Sequence, residues 1–460
     1  MELNEIKSVY FVGAGGIGMS ALARYFLAKG IVVGGYDRVA TPLTKALENE
    51  GARLHYEDNP KLIGPEFLDK AGTLVVYTPA IPADHKELNF FRTNNFEMHK
   101  RAQVLGILSR GYKALCVAGT HGKTTTTAMT AHLLEQSHVK CSAFLGGITK
   151  NYNTNYLYDA QSPYVVVEAD EFDRSFHHLT PWATVITATD PDHLDIYGTE
   201  EAYLESFTKY TSLIQSGGTL IMHTGLKMRP AVQNGVRTFT YSRKEGDFHA
   251  ENVRIGGGEI VFDYISPLGN ISDVKLGVPV SVNIENGIAA MALAQLAGAG
   301  ADELRRAMAS YDGVVRRFDF KVKNDRHVVL SDYAHHPAEI RQSVESLKEV
   351  FDGRKITAIF QPHLYTRTRD FYKEFAESLS LFDEVVLTEI YPAREKPIKG
   401  VDSRLIYDNL SPSVEKYLIE KDTVLDFVRT HPTDVLVILG AGDLDDYTQR
   451  IADIVKAEDC

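Results

Sequence analysis

One stretch restricts this chain more than any other: CVAGTHGKTTTTAMTAHLL, residues 116–134. An apolar run ends at Ala118. The turn Gly119-Thr120-His121-Gly122-Lys123-Thr124-Thr125 follows, and a segment rich in Ala, Met and Leu comes next. Strand, glycine turn and helix in that order make an anion site. Glycines let successive amides face inward, and the helix N-terminus adds partial positive charge. In such a loop Lys123 reaches the terminal phosphates of a nucleotide, and the Thr124 hydroxyl can ligate Mg²⁺. The general P-loop motif wants another glycine five residues before Gly122, where this chain has Val117, so the match is to a shorter variant loop. A turn that merely happened to carry Lys-Thr would not need a buried strand before it and a helix after it.

Two acidic segments follow. VVVEADE puts Glu168 at the end of an apolar strand with Asp170 and Glu171 just past it, and ITATDPDHLDIYG places Asp190, Asp192, His193 and Asp195 beyond another. Carboxylates at strand ends, on the side of the sheet where the phosphate loop emerges, suit Mg²⁺. A lone His193 reads as a surface or hydrogen-bonded histidine. Beside this cluster it becomes a metal or phosphate candidate.

A different glycine loop opens the chain. SVYFVGAGGIGMSALARYF runs from the apolar Val9–Val12 into Gly13-Ala14-Gly15-Gly16-Ile17-Gly18. That is the G-x-G-x-x-G pattern of a dinucleotide site, and Asp37 closes the next apolar stretch, where an NAD enzyme keeps the acid that holds a ribose. By itself the loop reports only a diphosphate. An NAD-dependent oxidoreductase with a fused P-loop domain and a nucleotide-gated binding protein without catalysis both stay open on these motifs.

Short β-branched runs alternate with helical stretches along the whole chain, an α/β pattern that implies parallel sheets with helices on both faces. With 460 residues the chain divides naturally into about three domains. The pattern sets boundaries at 1–108, 109–312 and 313–460. The balance of 49 basic against 61 acidic residues argues against nucleic acid or an anionic membrane surface as partner. Cys116, Cys141 and Cys460 are far apart and have no metal-site spacing, which suits a reducing compartment. No window approaches a membrane span, and the N-terminus does not read as a signal peptide. The expectation is a cytoplasmic protein, monomeric or weakly dimeric.

GTHGKTT, EADE and DPDHLD, in this order, resemble the central domain of the Mur ligases, the ATP-dependent enzymes that add amino acids to UDP-N-acetylmuramic acid in peptidoglycan synthesis. The likeness runs from VGAGGIGMSALA through VVRRF, DYAHHPAEI and QPHLYTRTRD to EKPIKGV and GAGD. It implies an N-terminal Rossmann-like domain, a central P-loop ATPase-like domain and a C-terminal Rossmann-like domain. The first glycine loop (Ala14, Gly15, Gly16, Ile17, Gly18) would then hold the diphosphate of a UDP-sugar, with Asp37 on the uridine side. ATP would lie on Gly119, Thr120, His121, Gly122, Lys123, Thr124 and Thr125. Asn283 and Asn286 would sit near the adenine, with Val282 where a histidine is common, and Arg317 and Asp332 would close on ATP from the third domain. Thr124, Glu168 and His193 would hold Mg²⁺ directly or through water.

His335, His336 and Arg367 are implied for the incoming amino acid, with Lys123, Arg317 and His336 as the catalytic set. Successive side chains of an extended segment point opposite ways, so at most one of the two histidines faces substrate. Two departures stand out. Phe207 occupies a position near which many members carry a modified lysine, so no carbamylated lysine is expected, and Leu364 stands where some relatives have arginine. The implied substrates are UDP-N-acetylmuramate and L-alanine. A sister ligase that joins a recycled peptide to the same sugar nucleotide is the alternative within the family.

Overall fold

The structure, a computed structural model, describes residues 5–393 and 395–458, with backbone only at Asp195 and Glu458. Cys460 and the Asp195 side chain therefore lie outside the described residues. The chain separates into two compact units. One holds the residues up to 250 together with 264–271 and 286–308, and the other holds 251–263, 272–285 and 309 onward.

The first unit contains two sheets. Strands β1 (Ser8–Val12), β2 (Val32–Tyr36), β3 (Arg53–His55), β4 (Thr73–Tyr77) and β5 (Glu97–Lys100) form a parallel sheet in the order β3-β2-β1-β4-β5. Every residue of β1 is buried, as expected of a central strand covered on both faces. The order reverses beside β1, and ligands of such sheets bind at that reversal, beyond the carboxyl ends of the strands. The first glycine loop leaves β1 there and enters the helix Ile17–Ala28.

The second sheet comprises β6 (Lys113–Ala118), β7 (Ser142–Thr149), β8 (Thr154–Leu157), β9 (Tyr164–Ala169), β10 (Ala183–Ile186), β11 (Thr219–His223) and β12 (Arg237–Tyr241), in the order β12-β11-β10-β6-β9-β7-β8. β6 runs parallel to both neighbours, with Val117 opposite Glu168 and Ala118 opposite Ile186. The loop leaving β6 is therefore flanked by residues that leave β9 on one side and β10 on the other. The helix Ile17–Ala28 is anchored to this second sheet. The fully buried Asn155 of β8 donates to the Ile17 carbonyl (2.6 Å) and to Ser20 Oγ (2.9 Å), and accepts from Arg24, which also pairs with Glu50 (2.7 Å). Every polar atom of the buried amide is thus used, and both glycine loops belong to one body.

A three-stranded sheet, β13 (His249–Gly256), β14 (Glu259–Ile265) and β15 (Ile271–Lys275), falls across the division between the units, as does the helix Val282–Leu296. The second unit carries β16 (Asp319–Lys323), β17 (Val328–Asp332), β18 (Ile356–Phe360), β19 (Glu384–Leu387), β20 (Glu415–Leu418) and β21 (Val435–Leu439), in the order β16-β17-β21-β18-β19-β20. Only β16 is antiparallel to its neighbour. The last strand inserts between β17 and β18, and Leu439 faces both Asp332 and Phe360. DYAHHP, QPHLYTR and GAGD consequently emerge at one edge. No helix among the described residues is long and apolar enough to cross a membrane.

Candidate active site

The loop after β6 has the form that an anion cradle requires. Gly119 has φ 133°, in the left-handed half of the map, and a Cβ there would lie 2.1 Å from Thr187 Oγ1, so no other residue fits. Thr120 ties the loop to its neighbours, with its hydroxyl on the Asp190 carbonyl (2.7 Å) and Tyr203 Oη (2.8 Å). His121 lies 3.8 Å from Asp190. Gly122, at φ 77°, caps the helix Lys123–Glu135, which starts at the lysine itself. Thr125 is half-buried in its first turn, and Thr126 Oγ1 donates to Asn286 Oδ1 (3.2 Å). Asn283, one turn earlier on the helix Val282–Leu296, donates to the Val278 carbonyl (3.1 Å).

Lys123 Nζ donates to the Gly119 carbonyl (2.6 Å) and to Glu171 (2.8 Å), with only 13% of the lysine side chain and 2% of the glutamate exposed. Burial works against the lysine's charge, but Glu171, Glu168 and Asp170 outweigh it and hold its pKa above the ordinary value. Burial pushes Glu171 up to about 7, even with the ammonium beside it. The Thr124 hydroxyl donates to Glu168 Oε1 at 3.2 Å, so the structure brings two of the three metal candidates into contact. The third, His193, packs edge-on against Phe172 and lies 3.6 Å from Asp192. Among the described residues no group of three His, Cys, Asp or Glu side chains is arranged to hold a metal ion by itself.

At the first loop, the Gly15 amide donates to Asp37 Oδ2 at 2.7 Å, so Asp37 braces the loop from within. A cavity of roughly 250 Å³ opens between this loop and the end of β9, lined by Gly16, Ile17, Gly18, Arg101, Glu168 and Asp170 among others. Phe207 is buried edge-on against Phe176 and Tyr203.

In the second unit, Arg317 lies over the Tyr333 ring (4.8 Å) between two left-handed residues, Arg316 at φ 64° and Phe318 at φ 44°. Burial pushes Asp332 up to about 6, against the pull of Arg317. Between pH ~4 and ~6 the native state therefore holds this proton more tightly than the unfolded chain, and raising the pH across that window removes stability through Asp332. The unfolding free energy of the wild type relative to Asp332→Asn should fall from pH 4 to pH 6 and then level off. Parallel urea melts across that range check this, and a pH-independent difference would refute it.

The two neighbouring histidines diverge. His335 Nδ1 lies 2.9 Å from the Tyr333 carbonyl, which can only accept, so that nitrogen carries the proton in this contact. Glu339 lies 3.3 Å away and takes the His335 and His336 amides, capping the helix Pro337–Val350. Burial lowers the His335 pKa. Glu339 opposes the shift, and Arg367 and Arg317 add to it. His336 turns its ring onto Phe371 (centroids 5.3 Å apart). Of the expected pair, His335 stands among the cations Arg317 and Arg367. Arg367 Nη1 is buried and has no hydrogen-bond partner among the described residues. Leu364, at φ 71°, caps the helix that carries Arg367.

Three family models tile the chain: the Mur ligase family catalytic domain over residues 8–113, the Mur ligase middle domain over 117–294 and the Mur ligase glutamate ligase domain over 316–442. The chain belongs to the Mur ligase family, and its α/β architecture is that of the family's three domains. It is 64% identical to the UDP-N-acetylmuramate–L-alanine ligase of Phocaeicola vulgatus, over 99% of this chain and 100% of that one. It is 57% identical to the ligase of the same name from Parabacteroides distasonis, over 99% and 98%. The crystal structure of UDP-N-acetylmuramate-alanine ligase from Thermotoga maritima superposes with a TM-score of 0.82 at 29% identity, covering 98% of this chain and 99% of that one. A murein peptide ligase from Psychrobacter arcticus shares the fold, with a TM-score of 0.66 at 21% identity over 98% of both chains.

Reasoning from the sequence missed Arg101, Asn155, Thr126 and Glu339. Arg101 lies in a polar helical connection, HKRAQVLG, that carries no motif. Asn155 is a polar residue in a four-residue edge strand that carries no motif. Glu339 alone had a local signal, three residues after the cap of its helix.

Proposed function

We infer that the chain joins L-alanine to the lactyl carboxylate of UDP-N-acetylmuramate at the expense of ATP, giving UDP-N-acetylmuramoyl-L-alanine, ADP and phosphate for peptidoglycan synthesis. The observation that carries this reading is the end-to-end 64% identity to a ligase of that name. A lactyl carboxylate oxygen attacks the γ-phosphorus of ATP, the bond to ADP breaks, and an acyl phosphate forms. The neutral amine of alanine then attacks the acyl carbon, phosphate leaves, and the amine gives up a proton.

The first step sets one anion against another. Lys123 answers that repulsion, because ATP can take the place that Glu171 occupies on its ammonium. Arg317, Asp332, Asn283 and Asn286 are assigned to ATP with the loop 119–125. A hard cation fits beside Thr124 and Glu168, where a hydroxyl and a carboxylate already meet. Mg²⁺ favours one or two protein oxygens completed by phosphate and water over an all-protein cage. Bound there, Mg²⁺ would neutralise charge on the phosphates, and His193 would reach it through water.

Arg367 offers an unpaired donor to the alanine carboxylate. His335, held neutral with its proton on Nδ1, leaves Nε2 to accept the amine's proton, so we move that role from His336 to its neighbour. The glycine loop Ala14–Gly18 takes the sugar nucleotide, with Asp37 bracing it. We assign 1–108 to the UDP-sugar, 109–312 to ATP and 313–460 to the amino acid, in a cytoplasmic monomer or weak dimer. The test is phosphate release from ATP and Mg²⁺ with UDP-N-acetylmuramate. We expect release that requires L-alanine. Release with a tripeptide but not with alanine would move the reading to the recycling ligase.

A further inference from the structure

The cavity between the first glycine loop and the end of β9 faces, on the ligase reading, a substrate that brings a diphosphate and a carboxylate. Yet among its described lining residues Arg101 is the single cation, beside Glu168 and Asp170. An anionic ligand there needs a positive partner, and the amides of the first loop are only in part available because Gly15 N is held by Asp37. Arg101 opens the helix Arg101–Ser109, and its Nη2 donates to Asp170 Oδ2 at 3.2 Å. Asp170 is itself fixed, its Oδ1 accepting from the Phe172 amide at 3.0 Å. The other end of the guanidinium lies against the first glycine loop: a Cβ on Gly18 would be 2.6 Å from Arg101 Nη1. Gly18 has no need of a positive φ, so its missing side chain serves to let the guanidinium approach the start of the helix Ile17–Ala28.

We propose that Arg101 is a substrate-binding residue whose guanidinium takes the diphosphate of the sugar nucleotide at the start of the helix Ile17–Ala28, and that Asp170 is the positioning residue that holds it there. The proposal rests on the ligase reading above. A planar fork suits the task, since one edge can stay on Asp170 while the other meets phosphate oxygens.

Calorimetric titration of the full chain tests it with two ligands, UDP-N-acetylmuramate and UDP-N-acetylglucosamine, which share the diphosphate but differ in the lactyl carboxylate. Arg101→Ala should weaken both by about 10- to 100-fold, with Arg101→Lys intermediate and ATP binding unchanged in each. Gly18→Ala, which crowds the guanidinium and keeps the charge, should weaken both ligands as well. If Arg101→Ala fails to bind ATP, Arg101→Lys and Gly18→Ala decide the matter. Unchanged affinity overturns the proposal, and so does a loss confined to UDP-N-acetylmuramate, which would put Arg101 on the carboxylate. A wild-type protein that releases no phosphate with both substrates would instead refute the ligase reading.

Discussion

Lys123→Ala should lower kcat by about 10³-fold or more while UDP-N-acetylmuramate still binds with nearly wild-type affinity. The ammonium is buried, charged and already aligned by the Gly119 carbonyl and Glu171, so its stabilisation of the transferring phosphoryl group requires little reorganisation. The substitution strands Glu171 in a buried position. Its pKa of about 7 lets it take up a proton, which spares the fold. Single-turnover ADP formation measures the loss, and calorimetry with the sugar nucleotide measures the binding that should survive. A well-folded variant that had lost sugar binding would contradict this division of labour between the two loops.

The second large effect is expected at Arg367. Its buried Nη1 has no partner among the described residues, and a desolvated donor in that state is costly unless a ligand completes it. Arg367→Ala should raise the KM for L-alanine by about 10²-fold, and Arg367→Lys should recover little of it, because a point charge cannot reproduce the guanidinium fork. ADP formation from ATP and UDP-N-acetylmuramate in the absence of alanine should change far less, since the acyl phosphate forms before the amine attacks. Equal loss of both activities would show that Arg367 serves the first step.

These two residues also differ in how well the sequence exposed them. Lys123 was legible because the P-loop is a local device: its strand, glycines and helix are contiguous, and backbone sterics set their geometry. Glu168 was legible because an acid ending a valine run in an α/β chain must sit at a sheet edge. The opening loop GAGGIG read as a diphosphate site and left the bearer open between NAD and a UDP-sugar, because amides at a helix N-terminus bind either alike. Asp37 read as a ribose or uridine contact, and the fold adds that its carboxylate accepts from the Gly15 amide.

The sequence by itself determined the α/β class, the two glycine loops between strand and helix, the acids around the second and the order of the domains, all of which follow from short-range pattern and backbone chemistry. Only the tertiary structure decided that Glu171 holds Lys123, that His335 stands among Arg317, Arg367 and Glu339, and that Asn155 locks the first loop's helix to β8. It also set Arg101 between Gly18 and Asp170. Each of these depends on strand register and on which strands lie side by side, as with β21 between β17 and β18. Such pairings join residues far apart along the chain, and no local preference of either partner records them.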